Sequence, residues 1–336
     1  MSLCAGFDFK YGSSTPYILA VINPCSGSGK APQIFREIIE PIWSNLRVLY
    51  DVIHTRHKGQ CTELLKNDRD ITRYTHMIAF GGDGTLAEMI KGLSENLYIK
   101  NAIKIIAIGI IPVGSGNGLA KSLHFHARRK YSVEEAAKMT ASSATKTMDL
   151  FEVKQGKESN MNFLAVTLGM VADTDIKSER WKGKAYLGEY RFILGAIENV
   201  WHNKAYPATL RYLPEGDSSP TQGNTKTLSG KFAMIMVANT SHCSYNAHTA
   251  PGAKINDGYL HVIVIGEIWR LTRLALFATL EWGFWTKHPS VMQFKTKWIK
   301  IEGLNKDTIV TADGEKISAE PLECRIHESA AKVLCS

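Results

Sequence analysis

One short stretch of the sequence combines residues suited to phosphate binding with a carboxylate. Residues 81–85 read Gly-Gly-Asp-Gly-Thr; an apolar run precedes them and a helical pattern follows. Glycines at the start of a helix let an anion approach backbone N–H groups, where the helix dipole favours negative charge. A carboxylate repels phosphate, so Asp83 is better suited to accept a proton from a hydroxyl or to hold a metal. The alternative is that Asp83 is present because Asp suits a glycine-rich turn.

Two more loops of this kind follow apolar runs. Residues 24–30 read Pro-Cys-Ser-Gly-Ser-Gly-Lys, and residues 112–118 read Pro-Val-Gly-Ser-Gly-Asn-Gly. Neither matches a common nucleotide motif, because Pro24 and Ala31 break the Walker A pattern and the later glycines lack dinucleotide spacing. The carboxyl ends of parallel strands meet at one edge of a sheet, so the three loops are expected to converge on one cleft. The sequence therefore predicts a nucleotide held by backbone amides.

The elements around these loops predict two domains. Strand patterns at 17–23, 48–54, 76–80 and 105–111 alternate with helical patterns, which favours an α/β N-terminal domain over residues 1–147 with a mostly parallel sheet. The rest, residues 148–336, is predicted as a mainly antiparallel β-sandwich domain, with the active site in the cleft between the two. Its strand patterns lie at 148–154, 163–170, 208–213, 232–238, 259–265, 298–302, 308–311 and 322–327; helices are predicted at 187–201 and 267–281, and a polar loop at 214–229.

Composition narrows the partners and the compartment. The 336 residues carry a net charge of +8, which fits an anionic ligand or an anionic membrane surface. No aromatic-plus-basic platform indicates nucleic acid. Six scattered cysteines without a C-x-x-C pair predict neither zinc nor disulfides, and so a reducing, cytoplasmic protein. The N-terminus does not resemble a signal peptide, and charges at Arg270, Arg273 and Glu281 argue against a membrane span there.

The motifs, taken in order, resemble the catalytic region of the diacylglycerol-kinase-like lipid kinases, and within them most of all the sphingosine kinases. The likeness rests on Asn23-Pro24 with the Ser-Gly-Ser-Gly-Lys that follows, on residues 81–85 with Glu88, and on residues 112–120. It continues in the second half through residues 169–181 and 187–192, and through the Asp-Gly-Glu at 313–315. It covers residues 17 to 327, nearly the whole chain.

The resemblance implies roles for individual residues. Asp83 would be the general base on the primary hydroxyl of a sphingoid base, and Asp175 would accept hydrogen bonds from its ammonium and hydroxyl groups. The implied substrate-binding set is Gly81, Gly82, Asp83, Gly84 and Asp175. The implied ATP-binding set is Asn23, Pro24, Cys25, Thr55, Arg56, His57, Lys58, Gly59, Gly82, Gly84, Glu88, Gly114, Ser115, Gly116, Lys182, Arg191, Asp313, Gly314 and Glu315. Mg²⁺ would accompany the ATP, with Asp313 as its candidate ligand.

The chain departs from the family pattern at three places. The loop between Glu179 and Leu187 is longer than in the relatives considered, which leaves Lys182 and Lys184 as alternatives for one phosphate contact. A lysine replaces the second phosphate-contact arginine, and so offers a point charge in place of a bidentate fork. Cys25 stands where an arginine is common, which weakens one expected nucleotide contact.

The resemblance thus implies an ATP- and Mg²⁺-dependent phosphotransferase with an alcohol acceptor, the primary hydroxyl of a sphingoid base. It implies a cytoplasmic protein in transient contact with a membrane surface; a monomer and a homodimer both stay open. One alternative is a related kinase acting on ceramide, diacylglycerol or NAD. Another is a non-catalytic lipid- or nucleotide-binding protein.

Simpler structural explanations exist for several of these residues. Asp175 could be a surface carboxylate, and residues 313–315 a hairpin turn. Paired histidines at 54/57 and 124/126 are better explained as solvated or capping side chains than as metal ligands. The apolar stripe over 268–285 is explained by core packing, by a lipid pocket or lid, or by membrane docking.

Overall fold

The computed structural model describes residues 16–179, 205–221 and 223–335. The strands are β1 Tyr17–Ile22, β2 Leu49–His54, β3 His76–Gly81, β4 Ala107–Pro112, β5 Thr145–Gln155, β6 Glu158–Asn162, β7 Ala165–Gly169, β8 Tyr206–Tyr212, β9 Lys226–Ala238, β10 Leu260–Gly266, β11 Val291–Thr296, β12 Trp298–Glu302, β13 Val310–Ala312, β14 Glu315–Ile317 and β15 Leu322–Leu334.

The helices mostly connect the strands of the N-terminal half. They are α1 Ala31–Ile34, α2 Glu40–Asn45, α3 Gln60–Asn67, α4 Asp83–Ser94, α5 Ala102–Ile105, α6 Gly118–His126, α7 Val133–Thr140, α8 Met170–Glu179 and α9 Arg270–Ala278. A π-helical turn, Phe35–Ile39, joins α1 to α2. Short 3₁₀ turns occupy Ile71–Arg73 and Phe284–Lys287.

The N-terminal half is an α/β layer. Its strands lie in the order β2-β1-β3-β4, and each neighbouring pair is parallel. Strand β1 shows why the sequence reads as a continuous apolar run: Leu19 and Val21 pack into one core, while Ile18, Ala20 and Ile22 pack into the other. Helices cover both faces of the sheet, so both faces need apolar side chains.

The C-terminal half is mainly antiparallel. Strand β9 is its centre, because it pairs with β7, β8 and β10, each in the antiparallel sense. Side chains from β5, β7, β9, β10, β12, β13 and β15 share one buried core, so the strands pack around it as the layers of a sandwich do. The predicted combination of a parallel α/β domain and an antiparallel β domain is confirmed.

The last strand joins the two halves into one sheet. The first part of β15 pairs with β12, and its end pairs in parallel with β4 and antiparallel with β5. Lys332 thus lies opposite Ala107 on one side and Thr147 on the other. Strand β5 crosses the predicted division after residue 147, and that division stays a prediction.

Several boundaries differ from the sequence prediction. Ile105 ends helix α5 and the strand begins at Ala107, although 105–111 reads as one apolar run. The polar stretch predicted as a loop up to residue 229 contains the start of β9, since Lys226 already pairs with Tyr212. Strands β6, β11 and β14 and the second half of β15 were not predicted. The helix predicted at 187–201 lies outside the described residues.

Candidate active site

The loops that follow β1, β2, β3 and β4 line one cavity of about 2090 Å³. The four strands are parallel neighbours, so these loops leave the same edge of the sheet. The opposite wall comes from the C-terminal half, including α8, α9 and the turn between β13 and β14. The predicted convergence of the glycine loops on a cleft between the two halves is confirmed.

Most of the predicted site residues line this cavity. They are Asn23, Pro24, Cys25, Thr55, Arg56, His57, Lys58, Gly59, Gly82, Asp83, Gly84, Glu88, Gly114, Ser115, Gly116, Asp313, Gly314 and Glu315. Gly81 is not among the lining residues; a Cβ there would lie 2.3 Å from Thr85 Oγ1, so the backbone packs directly against that side chain. Lys182, Lys184 and Arg191 lie outside the described residues. Asp175 lies on α8, but its side chain is likewise outside the description.

Two glycines bring the loops after β3 and β4 into contact. A Cβ on Gly114 would lie 2.3 Å from Gly82 Cα and 2.5 Å from Gly82 N. Real Cβ atoms do not approach backbone atoms so closely, so the two loops can pass each other only because Gly114 has no side chain. This close passage places Asp83, the next residue after Gly82, at the centre of the loop cluster.

The Asp83 carboxylate is held by the first turn of α6. Gly118 N donates to Asp83 Oδ2 at 2.8 Å, and Leu119 N donates to Oδ1 at 3.2 Å. These amides are free donors at a helix N-terminus, where the dipole favours negative charge. The protein's own carboxylate therefore occupies the anion site at the start of α6, which is not left for a phosphate.

Burial is the largest influence on the pKa of Asp83. The residue is 8 % exposed, and removal of its carboxylate from water raises its pKa above the usual Asp range, although the N–H donors lower it. A carboxylate with a raised pKa is a stronger proton acceptor. Two donated hydrogen bonds also leave lone pairs on the carboxylate, which has about four acceptor positions. Asp83 is thus both fixed in place and able to accept a proton.

Two side chains that the sequence interpretation did not assign connect the loops. Asn117 accepts a hydrogen bond from Gly114 N at 3.1 Å and donates one to Gly114 O at 2.7 Å, which closes its loop on itself. Its backbone is left-handed, with φ of 58°, a conformation that Asn tolerates better than most residues. Thr85 accepts a hydrogen bond from Asn23 Nδ2 at 3.2 Å, which joins the loops after β1 and β3. An Asn within a glycine-rich loop is the sequence signal that could have identified Asn117.

Glu88 holds the loop that follows β2. Its Oε1 accepts a hydrogen bond from Gly59 N at 2.8 Å, and its Oε2 accepts one from Cys61 N at 3.3 Å. Both donors lie at the N-terminal end of α3, where amides lack partners within the helix. Glu88 therefore fixes the end of the 55–59 loop against α4. The structure gives Glu88 a positioning role, and its direct contact with nucleotide stays a prediction.

Asp313 accepts hydrogen bonds from three consecutive backbone amides. Phe163 N donates to Oδ2 at 3.0 Å, while Leu164 N and Ala165 N donate to Oδ1 at 2.9 and 3.1 Å. Burial, together with a smaller effect of the charge of Asp83, nevertheless raises the pKa of Asp313 to about 7. The hairpin explanation of residues 313–315 is correct as far as it goes, because Asp313 begins the turn between β13 and β14.

The turn also carries an ion pair across the cavity mouth. Lys58 Nζ lies 2.6 Å from Glu315 Oε2, and both side chains are largely exposed. An exposed pair contributes little to stability, about 0–1 kcal/mol. The ion pair matters for its position, because it connects the loop after β2 to the C-terminal half. Two residues predicted to bind nucleotide are therefore partners of each other in this structure.

Comparison with known proteins shows similarity along most of the chain. The chain is 26% identical to sphingosine kinase 1 of Arabidopsis thaliana over 337 residues, covering 90% of this chain and 68% of that protein. It is 24% identical to human sphingosine kinase 1, covering 92% of this chain and 88% of that protein. A crystal structure of a diacylglycerol kinase from Bacillus anthracis superposes with a TM-score of 0.66 at 16% identity, covering 97% of this chain and 98% of that one, which shows the fold alone.

Two family models match successive parts of the chain. The diacylglycerol kinase catalytic domain matches residues 17–153. The YegS C-terminal NAD kinase beta sandwich-like domain matches residues 169–335. The chain belongs to the diacylglycerol-kinase-like lipid kinases. The junction between the two matches falls in the same region as the change from parallel to antiparallel strands in this lipid kinase.

The cavity of this lipid kinase has an apolar arm in the C-terminal half. Val171 on α8 and Leu274, Phe277 and Leu280 on and after α9 line it. The arm is continuous with the loop cluster around Asp83, because all these residues line one cavity. Such an arm can take an alkyl chain while a polar head group lies at the loops. Within the described ranges, no helix is both long and apolar enough to cross a bilayer.

The carboxylates of this lipid kinase suit a metal ion only when a bound ligand supplies further coordinating oxygens. The described residues contain no group of three or more His, Cys, Asp or Glu side chains placed to hold an ion. Mg²⁺ bound through phosphates needs only one or two protein carboxylates. Asp313 lies on the cavity wall close enough to Asp83 for their charges to interact. The donor set therefore fits magnesium carried by a nucleotide better than a preformed metal cage.

One histidine of each pair contacts a nearby backbone carbonyl. His57 Nδ1 lies 3.1 Å from Lys58 O, and His124 Nδ1 lies 2.7 Å from Ala120 O, one helical turn earlier. Burial lowers the pKa of His124 and that of His126. His57 and His124 each contact a nearby backbone carbonyl, as the capping interpretation expects.

Proposed function

We propose that this lipid kinase transfers the γ-phosphoryl group of ATP to the primary hydroxyl of sphingosine or a related sphingoid base. The observation that carries the proposal is the position of Asp83. Its buried carboxylate lies where the glycine loops meet, and it lines a cavity that continues into an apolar arm. The similarity to sphingosine kinases of plants and animals supports the substrate class.

In the proposed reaction, Asp83 accepts the proton of the acceptor hydroxyl as that oxygen attacks phosphorus. The N–H donors of Gly118 and Leu119 hold the carboxylate, and its remaining acceptor capacity would be available to the acceptor hydroxyl. The transferred group bears charge on its outer oxygens, and backbone amides of the glycine loops are suited to receive it. Magnesium bound with the nucleotide would supply further charge neutralisation, with Asp313 as the candidate protein ligand.

The acceptor head group is assigned to the α8 side of the cavity. Val171 and Thr174 on α8 line the cavity, and Asp175 follows them on the same helix. A sphingoid base carries an ammonium and a hydroxyl, and a carboxylate can bind both through charge-assisted hydrogen bonds. Diacylglycerol has no cation and would gain less from Asp175. Lys182 or Lys184, together with Arg191, would neutralise the transferring phosphate in this proposal.

The test is a radiolabelled-ATP assay across sphingosine, ceramide, diacylglycerol and NAD, with the wild type and Asp83→Asn. Asp83→Asn is expected to lower turnover of sphingosine by roughly 10²–10⁴-fold with little change in ATP binding, because the amide cannot accept the proton. Asp70→Asn serves as the control, because Asp70 is exposed and does not line the cavity, and it is expected to keep wild-type turnover.

The panel also separates the alternatives. If the wild type prefers ceramide or diacylglycerol, the substrate is a neutral lipid and not a sphingoid base. If it prefers NAD, the substrate is not a lipid. Tight ATP binding without turnover of any acceptor would indicate a non-catalytic binding protein. Near-normal turnover by Asp83→Asn would remove Asp83 from the role of base.

A further inference from the structure

The segment around α9 exposes a concentration of large apolar side chains. We define the α9 face by Trp269, Leu271, Leu274, Trp282 and Phe284, whose exposures are 68, 58, 44, 61 and 60 %. Single exposed apolar residues are common on any protein surface. A group of them in one short segment is not, and such patches mark surfaces that another phase or molecule covers.

The outer side of helix α9 carries apolar side chains after its first residue, Arg270. Arg273 and Leu276 are buried against the C-terminal half. Leu271, Leu274, Ala275 and Ala278, spaced three and four residues apart, are exposed. A surface helix of a water-soluble protein normally has a polar outer face. The outer face of α9 instead suits contact with an apolar phase.

The α9 face borders the opening of the cavity. Leu274, Ala278 and Glu281 are exposed to solvent and also line the cavity, next to Phe277 and Leu280. The exposed face and the apolar arm therefore share one edge. Leu274 belongs both to this face and to the cavity lining, so a lipid can move from the face into the arm past an apolar side chain, with the charged Glu281 at the same edge.

We propose that the α9 face docks on a lipid bilayer that contains anionic lipid, and that the cavity opens toward the bilayer there. The inference rests on the lipid-kinase function for its purpose, since the acceptor is dissolved in the membrane. Trp and Phe side chains favour the bilayer interface. Lys287 Nζ lies 5.4 Å from the centre of the Phe284 ring, so a cation accompanies one of the aromatic residues.

The charges near α9 indicate which part of the docking is electrostatic and which part is apolar contact. Arg270 and Lys287 lie on the segment, but so do the exposed Glu267 and Glu281, so the local charge is balanced. Attraction to anionic lipid must then come from the chain as a whole, with its net charge of +8. The apolar side chains of the α9 face supply the local contact and the orientation. Removal of these side chains should weaken docking without any change in charge.

The experiment compares two triple variants in vesicle co-sedimentation. The probe is unilamellar phosphatidylcholine vesicles with about a fifth phosphatidylserine, without ATP or acceptor. Trp269→Ser, Trp282→Ser and Phe284→Ser together are expected to lower the vesicle partition coefficient by about tenfold or more. The matched control replaces Leu46, Leu49 and Leu97, which are exposed to similar extents in the N-terminal half, by Ser and is expected to bind within about twofold of wild type.

Turnover separates docking from acceptor binding inside the cavity. The α9-face variant is expected to keep its rate on a short-chain acceptor dissolved as a monomer and to lose about tenfold on the same head group in vesicles. Vesicle binding that is unchanged in the α9-face variant overturns the proposal, as does an equal loss in the control. Equal loss on dissolved and vesicle-borne acceptor also overturns it, because the residues would then belong to the pocket.

Two further outcomes are informative. If wild type forms a dimer that the α9-face variant does not form, with vesicle binding unaltered, the face is an interface between two copies and the proposal is wrong. If no acceptor is phosphorylated by the wild type, the proposed function fails, but selective loss of vesicle binding in the α9-face variant still supports the docking surface.

Discussion

Replacement of Gly114 by Ala tests whether the contact between two loops positions the carboxylate of Asp83, the proposed general base. The added Cβ would lie 2.3 Å from Gly82 Cα and 2.5 Å from Gly82 N, and 3.0 Å from Asn117 Oδ1. Non-bonded carbon contacts are most favourable at about 3.5–4.0 Å, so the loops must separate by about 1 Å. The two Gly82 atoms are backbone atoms, so no side-chain rotation can relieve the overlap with them.

The displacement acts directly on Asp83. Asp83 follows Gly82, and its carboxylate is held by Gly118 and Leu119, which follow Gly114 on the other loop. Separation of the loops therefore stretches the two hydrogen bonds that orient the carboxylate. A misplacement of about 1 Å costs about 10²-fold in rate. Overpacking of this kind also costs about 1–3 kcal/mol of stability.

The assay measures kcat and kcat/KM for phosphoryl transfer together with the thermal midpoint. Gly114→Ala is expected to lower kcat by about 10²-fold at temperatures where the variant is still folded. Gly252→Ala is the matched control, because a Cβ there would have no neighbour closer than 3.9 Å and the residue does not need positive φ. The control is expected to leave both kcat and stability unchanged.

Two results would refute the reasoning. A Gly114→Ala variant with kcat within about twofold of wild type would show that the loop contact does not position Asp83. A drop in ATP affinity alone, with kcat unchanged, would assign Gly114 to nucleotide binding in place of carboxylate positioning.

Three other predictions follow from the site. On the acid side, kcat/KM should rise with pH, because the buried Asp83 must be ionised to act as base, and the midpoint of that rise should lie above the ordinary Asp pKa of about 3.9. The same rise in Asp83→Asn would contradict this. Glu88→Ala should raise the KM for ATP more than the KM for the lipid, since Gly59 N loses its acceptor, and Glu88→Gln should raise the KM for ATP less. Equal increases in both KM values would argue against the role of Glu88 in holding the loop. Asp313→Ala should lower the free energy of unfolding by about 2–4 kcal/mol in urea titrations, because three buried amides lose their acceptor; an unchanged unfolding midpoint would leave Asp313 without that structural role.

Local patterns in the sequence predicted most of the elements. Apolar runs ending in glycine-rich segments located β1, β3 and β4, and Ser132 with Glu135 located the start of α7, where Ser132 Oγ accepts from Glu135 N at 3.2 Å. These signals depend on residues close together in the chain. The rule that parallel strands end at one edge then predicted that the three loops converge. Strand lengths were less accurate, because a polar stretch such as the start of β9 is a strand only by virtue of its partner β8.

The roles of the acidic residues depended on contacts between distant parts of the chain. The amides that hold Asp83 lie about 35 residues away, and those that hold Asp313 lie about 150 residues away. No spacing rule connects such positions. The sequence suggested which carboxylates are chemically suited to the reaction, but not which of them the fold holds by hydrogen bonds to backbone amides.

The sequence by itself determined the α/β and β-rich halves, the glycine loops and Asp83 as the candidate base, because helix, strand and turn preferences act over a few residues. Only the tertiary structure decided that α6 holds Asp83, that Glu88 supports the loop after β2, and that β15 joins both halves into one sheet. It also decided that α9 exposes apolar side chains while Arg273 is buried, because burial is a property of the packed chain and hydrophobic periodicity alone does not show which side faces solvent.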